Sequence, residues 1–286
     1  MAISRDWLCN SIQAFIQESP INSLGEDTEE KAWGNPLIGF SNGADPLYKF
    51  YKKDIGDFIL TPQESFLQKF PQAKVEASDL TILTWILPQT EATKMSQRKR
   101  TTFPSEKWMR AKVFGEEVNN KLREYVVDSL SEQGYRAVAP VLRPEFCEKF
   151  SEDYSYASTW SERHAAYAAG LGTFGLCDGL ITPLGKAMRC GSVIVHAKIP
   201  PSKRPYSDHR EYCLFFVDNS CTDCIDRCPV GAISEEGHDK GKCVEHLEKA
   251  RKRAKERYGF GSDACGLCQV GVSCESGIPR SSSLNT

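Results

Sequence analysis

Cys213-Leu-Phe-Phe-Val-Asp218-Asn-Ser-Cys221-Thr-Asp-Cys224-Ile-Asp-Arg-Cys228-Pro229 is the stretch that decides what the last quarter of this chain can be, and four more cysteines follow it, Cys243, Cys265, Cys268 and Cys274. A cubane of iron and sulfide needs soft thiolates at its corners, and a C-x2-C turn aims two sulfurs at one cluster. The cysteine that precedes a proline reaches elsewhere, so the ligands of two clusters interleave. Eight cysteines in this order predict two four-iron four-sulfur clusters. By the interleaving rule Cys221, Cys224 and Cys274 share one, while Cys228, Cys243, Cys265 and Cys268 hold the other. Zinc and disulfides are the plain alternatives. Zinc sites take separable groups of four with no use for a C-x3-C-P run, and disulfides need an oxidising compartment.

Two positions depart from the run of bacterial two-cluster ferredoxins. The residue three before Cys221 is Asp218 rather than a cysteine, so the first cluster takes its fourth ligand either from Cys213 or from the Asp218 carboxylate. Thiolate is the softer ligand, which favours Cys213. The final motif, Cys268-Gln-Val-Gly-Val-Ser-Cys274, has a longer gap than usual and no proline directly after it.

The 286 residues suffice for one large core and a small cofactor-stapled module. Two domains are expected, residues 1–205 and 206–286, divided near the Pro200-Pro-Ser-Lys-Arg-Pro205 linker. The start, Met1-Ala-Ile-Ser-Arg-Asp-Trp-Leu8, has no apolar leader and no twin arginine, and no apolar run approaches a membrane span. A net charge of −2 gives no global pull toward nucleic acid or anionic lipid. The expectation is a cytoplasmic protein, of an anaerobe, with neither membrane nor nucleic acid as a partner.

Apolar residues at helical spacing predict a helix over Asp6 to Gln17, and the run Leu80 to Leu87, stopped by Pro88, predicts a buried strand. Residues 89–104 read as a polar loop. Phe114, Val118, Leu122, Val126 and Leu130 mark one face of a long helix that ends at Gly134. Strands are expected over Tyr135 to Leu142 and Gly191 to Ile199, so helices and strands alternate in an α/β (α+β) domain with a mixed sheet.

Gly170-Leu171-Gly172-Thr-Phe-Gly175 matches a dinucleotide fingerprint literally, but that motif must follow a strand and open a helix. Here it closes one: Ser161-Glu162-Arg163-His164-Ala-Ala-Tyr-Ala-Ala169 reads as a short helix with Ser161 as N-cap. Glycines there permit close backbone approach, to another strand or to a large flat cofactor.

Ser161-Glu162-Arg163, the glycine segment, and Cys221 to Ile233 with the isolated Cys243 together resemble epoxyqueuosine reductase and its relatives, a group that includes the reductive dehalogenases. The resemblance covers roughly residues 75 to 275. It implies a nitroreductase-like domain that binds cobalamin, followed by a ferredoxin-like domain whose two clusters feed it electrons. It further implies that Ser161, Glu162, Gly170, Leu171, Gly172, Gly175, Gly191 and Ser192 contact the cobalamin. The partners expected are a small-molecule substrate and a low-potential electron donor, ferredoxin or flavodoxin. Where epoxyqueuosine reductase has its proton-donating Asp, seven residues before the Arg of the Glu-Arg pair, this chain has Tyr156, a donor of the dehalogenase type.

Reductive cleavage needs single electrons and a proton. Tyr156, with Arg163 as cationic neighbour, and His164 are the candidates for the catalytic roles; Tyr156 packed beside Tyr154 and Trp160, and His164 exposed in its helix, are the structural alternatives. The other reading of the same cysteines is an electron carrier or corrinoid-reducing activator without substrate chemistry. His196 reads as a core residue. Cys9, Cys147, Cys177 and Cys190 read as buried small hydrophobes, Cys177 being the one beside the glycine segment. Lys249-Ala-Arg251-Lys-Arg253-Ala-Lys255-Glu-Arg257 reads as a solvated basic face or a dock for an acidic redox donor.

Overall fold

The computed structural model describes residues 3–280. Its centre is the run expected as a buried strand. That run is β2 (Leu80–Pro88), flanked by β1 (Leu37–Asn42) on one side and by β8 (Met188–His196) on the other, with the short β3 (Ala137–Val138) completing the order β1-β2-β8-β3. Alternate residues of β2 supply both faces: Leu80, Ile82 and Ile86 pack into one core, Leu83, Trp85 and Leu87 into the other. The first core is covered by α2 (Pro46–Ile55), α3 (Pro62–Lys69) and α6 (Glu162–Ala168), the second by α1 (Arg5–Glu18) and α5 (Glu106–Glu132). The result is a three-layer α/β sandwich.

Every pairing in this sheet is antiparallel, which corrects the expectation of a mixed sheet. Two helices, α2 and α3, lie between β1 and β2, so the chain goes out and back before it pairs. The expected strand over Tyr135 to Leu142 shrinks to Ala137–Val138, because Pro140 cannot donate to a ladder and opens a 3₁₀ turn instead.

The segment expected as a polar loop holds a helix, α4 (Glu91–Arg98), capped by the Thr90 side chain. Its buried face is polar. Gln97 Nε2 donates to Cys265 O at 2.7 Å and its Oε1 accepts from Ser105 N at 2.8 Å, while Lys94 Nζ donates to Ser276 Oγ at 2.7 Å. Arg98 Nε reaches both carboxylate oxygens of Glu275 at 3.1 Å. The helix therefore clamps the cysteine-rich segment to the sandwich.

Small hairpins fill the connections: β4 (Glu148–Ser151) with β5 (Ser155–Ser158), and β6 (Thr173–Phe174) with β7 (Leu180–Ile181). After the proline linker come α7 (Leu214–Asp218), α8 (Asp223–Asp226), the hairpin β9 (Ile233–Ser234) and β10 (Gly237–His238), and α9 (Lys240–Tyr258). Among the described residues no helix is long and apolar enough to cross a membrane.

Candidate functional site

Cys213 caps α7, Cys224 sits in α8, Cys243 in the first turn of α9, and Cys268 in a 3₁₀ turn. These elements turn the thiols inward onto two cavities. Cys213, Cys221, Cys224 and Cys274 line a small one between Leu176, Ile181 and Val272. Cys228, Cys243, Cys265 and Cys268 line the other, a cavity of about 320 Å³ that opens toward Arg163, Met188 and Arg189 of the sandwich. All twelve cysteines are free thiols, so the disulfide alternative has no pairing to support it. No group of three or more His, Cys, Asp or Glu among the described residues is drawn together tightly enough for a single metal ion.

Asp218 is exposed and does not line the first cavity; its Oδ1 accepts from Ser220 N at 3.1 Å. Ala232 N donates to Cys228 Sγ at 3.2 Å, the kind of amide contact that steadies a thiolate. Cys177 is the ninth cysteine here: buried, interacting with Cys224 of one quartet and Cys268 of the other, and touched by Lys186 Nζ at 3.3 Å. Of the other three, Cys190 is buried and Cys9 half-buried, whereas Cys147 is exposed, ahead of a surface hairpin, against the expectation of burial.

The glycine segment closes α6 as expected, with Gly170 at φ 79°. Its free space is taken by protein backbone. A Cβ on Gly170 would lie 2.2 Å from Lys203 O, one on Gly172 2.2 Å from Ile181 O, and one on Gly175 3.2 Å from Ile181 Cδ1, while Leu171 is buried under Gly39. Gly191 similarly yields to Trp85, whose Nε1 would be 2.3 Å from a Cβ there.

Glu162 and Ser192 also have partners inside the protein. Because β3 pairs with β8 only at Ile194 and Val195, the backbone of β8 before them is an open edge. Glu162 Oε1 accepts from Ser192 N at 2.9 Å, and Arg123 Nη2 and Asn119 Nδ2 donate to Cys190 O at 3.3 and 2.9 Å. Arg123 grips Glu162 through Nε at 3.1 Å and Nη2 at 2.6 Å. Burial pushes the Glu162 carboxyl up, against the pull of Arg123. The pair is a lid on a sheet edge.

Ser161 does not cap α6 through its side chain; its Oγ hydrogen-bonds His164 Nδ1 at 2.7 Å. His164 is half-buried between Tyr51 and Phe174, with centroids at 4.7 and 4.9 Å, and burial together with Arg163 and Lys240 holds its pKa down to about 3. Arg163 Nη1 donates to Asp178 O at 2.6 Å. Asp178 Oδ2 in turn meets His238 Nδ1 at 3.2 Å; burial opposes the charge on His238, but Asp178 and Cys243 outweigh it and raise its pKa to about 9. Tyr156 is half exposed on β5, edge-on to Phe150 at 6.5 Å, and its carbonyl accepts from Lys240 Nζ at 3.2 Å. It stands outside the lining of both cavities. His196 ends β8 half-buried against Phe66.

Several lining groups escape a reading of the sequence. Gln89 is buried, lines the larger cavity, and leaves its Oε1 without a partner; Arg189 lines the same space and pairs with Glu116 at 2.9 Å. The basic side chains of α9 from Arg251 to Arg257 are exposed.

No family model matches the chain. The epoxyqueuosine reductases of Bacillus cereus and Bacillus anthracis are each 33% identical to it over 116 residues, a match that spans 38% of this chain and 28% of theirs. Among solved structures, a selenomethionine-labelled epoxyqueuosine reductase overlays with a TM-score of 0.49 at 18% identity, over 86% of this chain and 63% of that one. A B12-dependent reductive dehalogenase overlays with a TM-score of 0.48 at 18% identity, over 81% of this chain and 29% of that one. Another epoxyqueuosine reductase, with a TM-score of 0.47 at 17% identity over 86% of this chain and 63% of that one, is held with a tRNA-Tyr epoxyqueuosine-modified stem loop. Nucleic acid is thus a ligand of that protein. Over those 116 residues the chain is similar in sequence to epoxyqueuosine reductase, and the match spans less than a third of those relatives' length.

Proposed function

We propose that the chain is a cobalamin-dependent iron–sulfur reductase, an oxidoreductase that passes electrons through two four-iron four-sulfur clusters to the reductive cleavage or deoxygenation of a small substrate. The observation that carries this is the division of eight cysteines into two quartets around two cavities, in the interleaved sets that two cubanes require. Apolar walls suit low-potential clusters, and the burial of Cys213 beside an exposed Asp218 supports Cys213 as the fourth ligand of the first quartet.

The similarity to epoxyqueuosine reductase supports cobalamin, which when bound supplies the reduced cobalt for such cleavage. A cluster on the second quartet would fill the cysteine-lined part of the larger cavity, so the side chains that would meet cobalamin are those at its opening toward the sandwich. Gln89 Oε1, buried without a partner, would accept from an amide, and Arg163 and Arg189 would face carbonyl or phosphate oxygens. His164, neutral at physiological pH and fixed by Ser161, orients without contributing charge. Tyr156 would serve as proton donor to a substrate that approaches across the β4–β5 hairpin.

One observation favours the electron-carrier reading. A cavity of about 320 Å³ lies at the lower end of the roughly 300–1,000 Å³ of drug-sized ligand pockets, and cobalamin is larger than such ligands. Anaerobic purification followed by iron, sulfide and cobalamin assays separates the two. Iron with about one cobalamin per chain, retained or taken up, supports the reductase. Iron alone, with no uptake of added cobalamin, leaves the carrier.

A further inference from the structure

Lys186 lies just before β8, and its side chain is almost wholly buried, at 3% exposure. Its backbone N–H donates to Cys274 O at 2.8 Å, which fixes it against the last cysteine of the first quartet. Its stem runs past Gly179, where a Cβ would lie 2.8 Å from the lysine Cδ. The ammonium ends among thiols: Nζ donates to Cys177 Sγ at 3.3 Å, and Cys274 lies within its electrostatic reach. The side chain lines the first cavity together with Cys213, Cys221, Cys224 and Cys274.

A buried ammonium without a counter-charge is among the costliest groups a protein can hold. Among the described residues no salt bridge is made by Lys186; the Asp223 carboxylate on the same cavity acts on it only at longer range, and the direct partner of its ammonium is the Cys177 sulfur. What repays its burial is therefore an anion at the sulfurs. Metal-bound thiolates around a cubane supply one.

We infer that Lys186 is a fixed positive charge that raises the reduction potential of the cluster held by Cys213, Cys221, Cys224 and Cys274. This rests on the cluster reading given above. A cluster becomes more negative when it gains an electron, and a cation held in an apolar wall favours that reduced form over the oxidised one. Lys186 would act through the sulfurs, as a positioning charge.

The test uses the full chain, purified anaerobically, with potentiometric titration followed by electron paramagnetic resonance. Lys186→Met and Lys186→Gln remove the charge with and without a polar end, and Lys186→Arg keeps it. Both neutral variants should retain the iron of the wild type while the first cluster becomes harder to reduce. The fall in its equilibrium constant for reduction should be at least tenfold, about 59 mV for a one-electron couple. Lys186→Arg should restore most of the potential. A wild-type potential in either neutral variant overturns the assignment. Loss of that cluster from both neutral variants but not from Lys186→Arg carries the same requirement for charge, whereas loss from Lys186→Arg as well overturns it. Wild-type protein short of two clusters removes the cluster reading itself, before any variant is compared.

Discussion

Removing the Glu162 carboxylate tests whether that residue holds the sheet edge or a cofactor. Glu162→Ala strands the Arg123 guanidinium, whose side chain is 1% exposed, and leaves Ser192 N–H on β8 without an acceptor. Losing one partner of a buried ion pair costs about 3–5 kcal/mol, and a buried donor left unmade costs about 1–3 kcal/mol. Glu116 still faces Arg123 Nη1 at 2.9 Å, so part of the charge remains compensated and the lower figure applies. A loss of about 3 kcal/mol at roughly 2–4 °C per kcal/mol lowers the melting temperature by about 6–12 °C. Thermal melts of wild type and variant, each with iron content measured beforehand, read this directly. Glu162→Gln should lose less, because an amide oxygen can still accept from Ser192. A variant that melts within about 1 kcal/mol of wild type yet no longer takes up cobalamin would refute the edge-capping account and return Glu162 to the cofactor.

Cys213→Ala should strip one cluster, about four irons, whereas Asp218→Ala and Cys177→Ser should keep both, as read by iron assay and visible absorbance. Burial holds the His164 pKa near 3 in the folded chain, below its unfolded value of about 6.5, so the unfolded state binds the extra proton first. Stability should therefore fall as pH drops below about 6.5, by up to about 1.4 kcal/mol per pH unit until the folded pKa is reached, and His164→Phe should flatten that slope in denaturant titrations. If Tyr156 is the general acid, Tyr156→Phe should lower turnover by about 10²–10⁴-fold with cofactor content unchanged; turnover near wild type would move the role elsewhere.

What could be read in the sequence was periodic or compositional. α1 and α5 announce themselves by apolar spacing, β2 by a run of apolar and β-branched residues, and the end of α6 by Gly170. α4 does not, because the face it buries is Thr93 and Gln97, and its stability comes from partners in the cysteine-rich segment. The strand after α5 was overcounted for want of weight on Pro140. Sheet polarity is not legible, because an alternation of helix and strand does not say which strands become neighbours. In the site, cysteine spacing is local in sequence and hence legible. The buried Lys186, the orphaned Gln89 Oε1 and the inward-facing Cys177 depend on residues far along the chain, so their one-dimensional surroundings carry no such signal.

Mössbauer spectroscopy on iron-57-enriched protein, purified and held without oxygen, tests the central claim most directly. The account predicts about eight irons per chain, all in valence-delocalised cubanes, with half of the signal lost in Cys213→Ala protein. Zinc in place of iron, or a wild-type chain with about four irons, would contradict it.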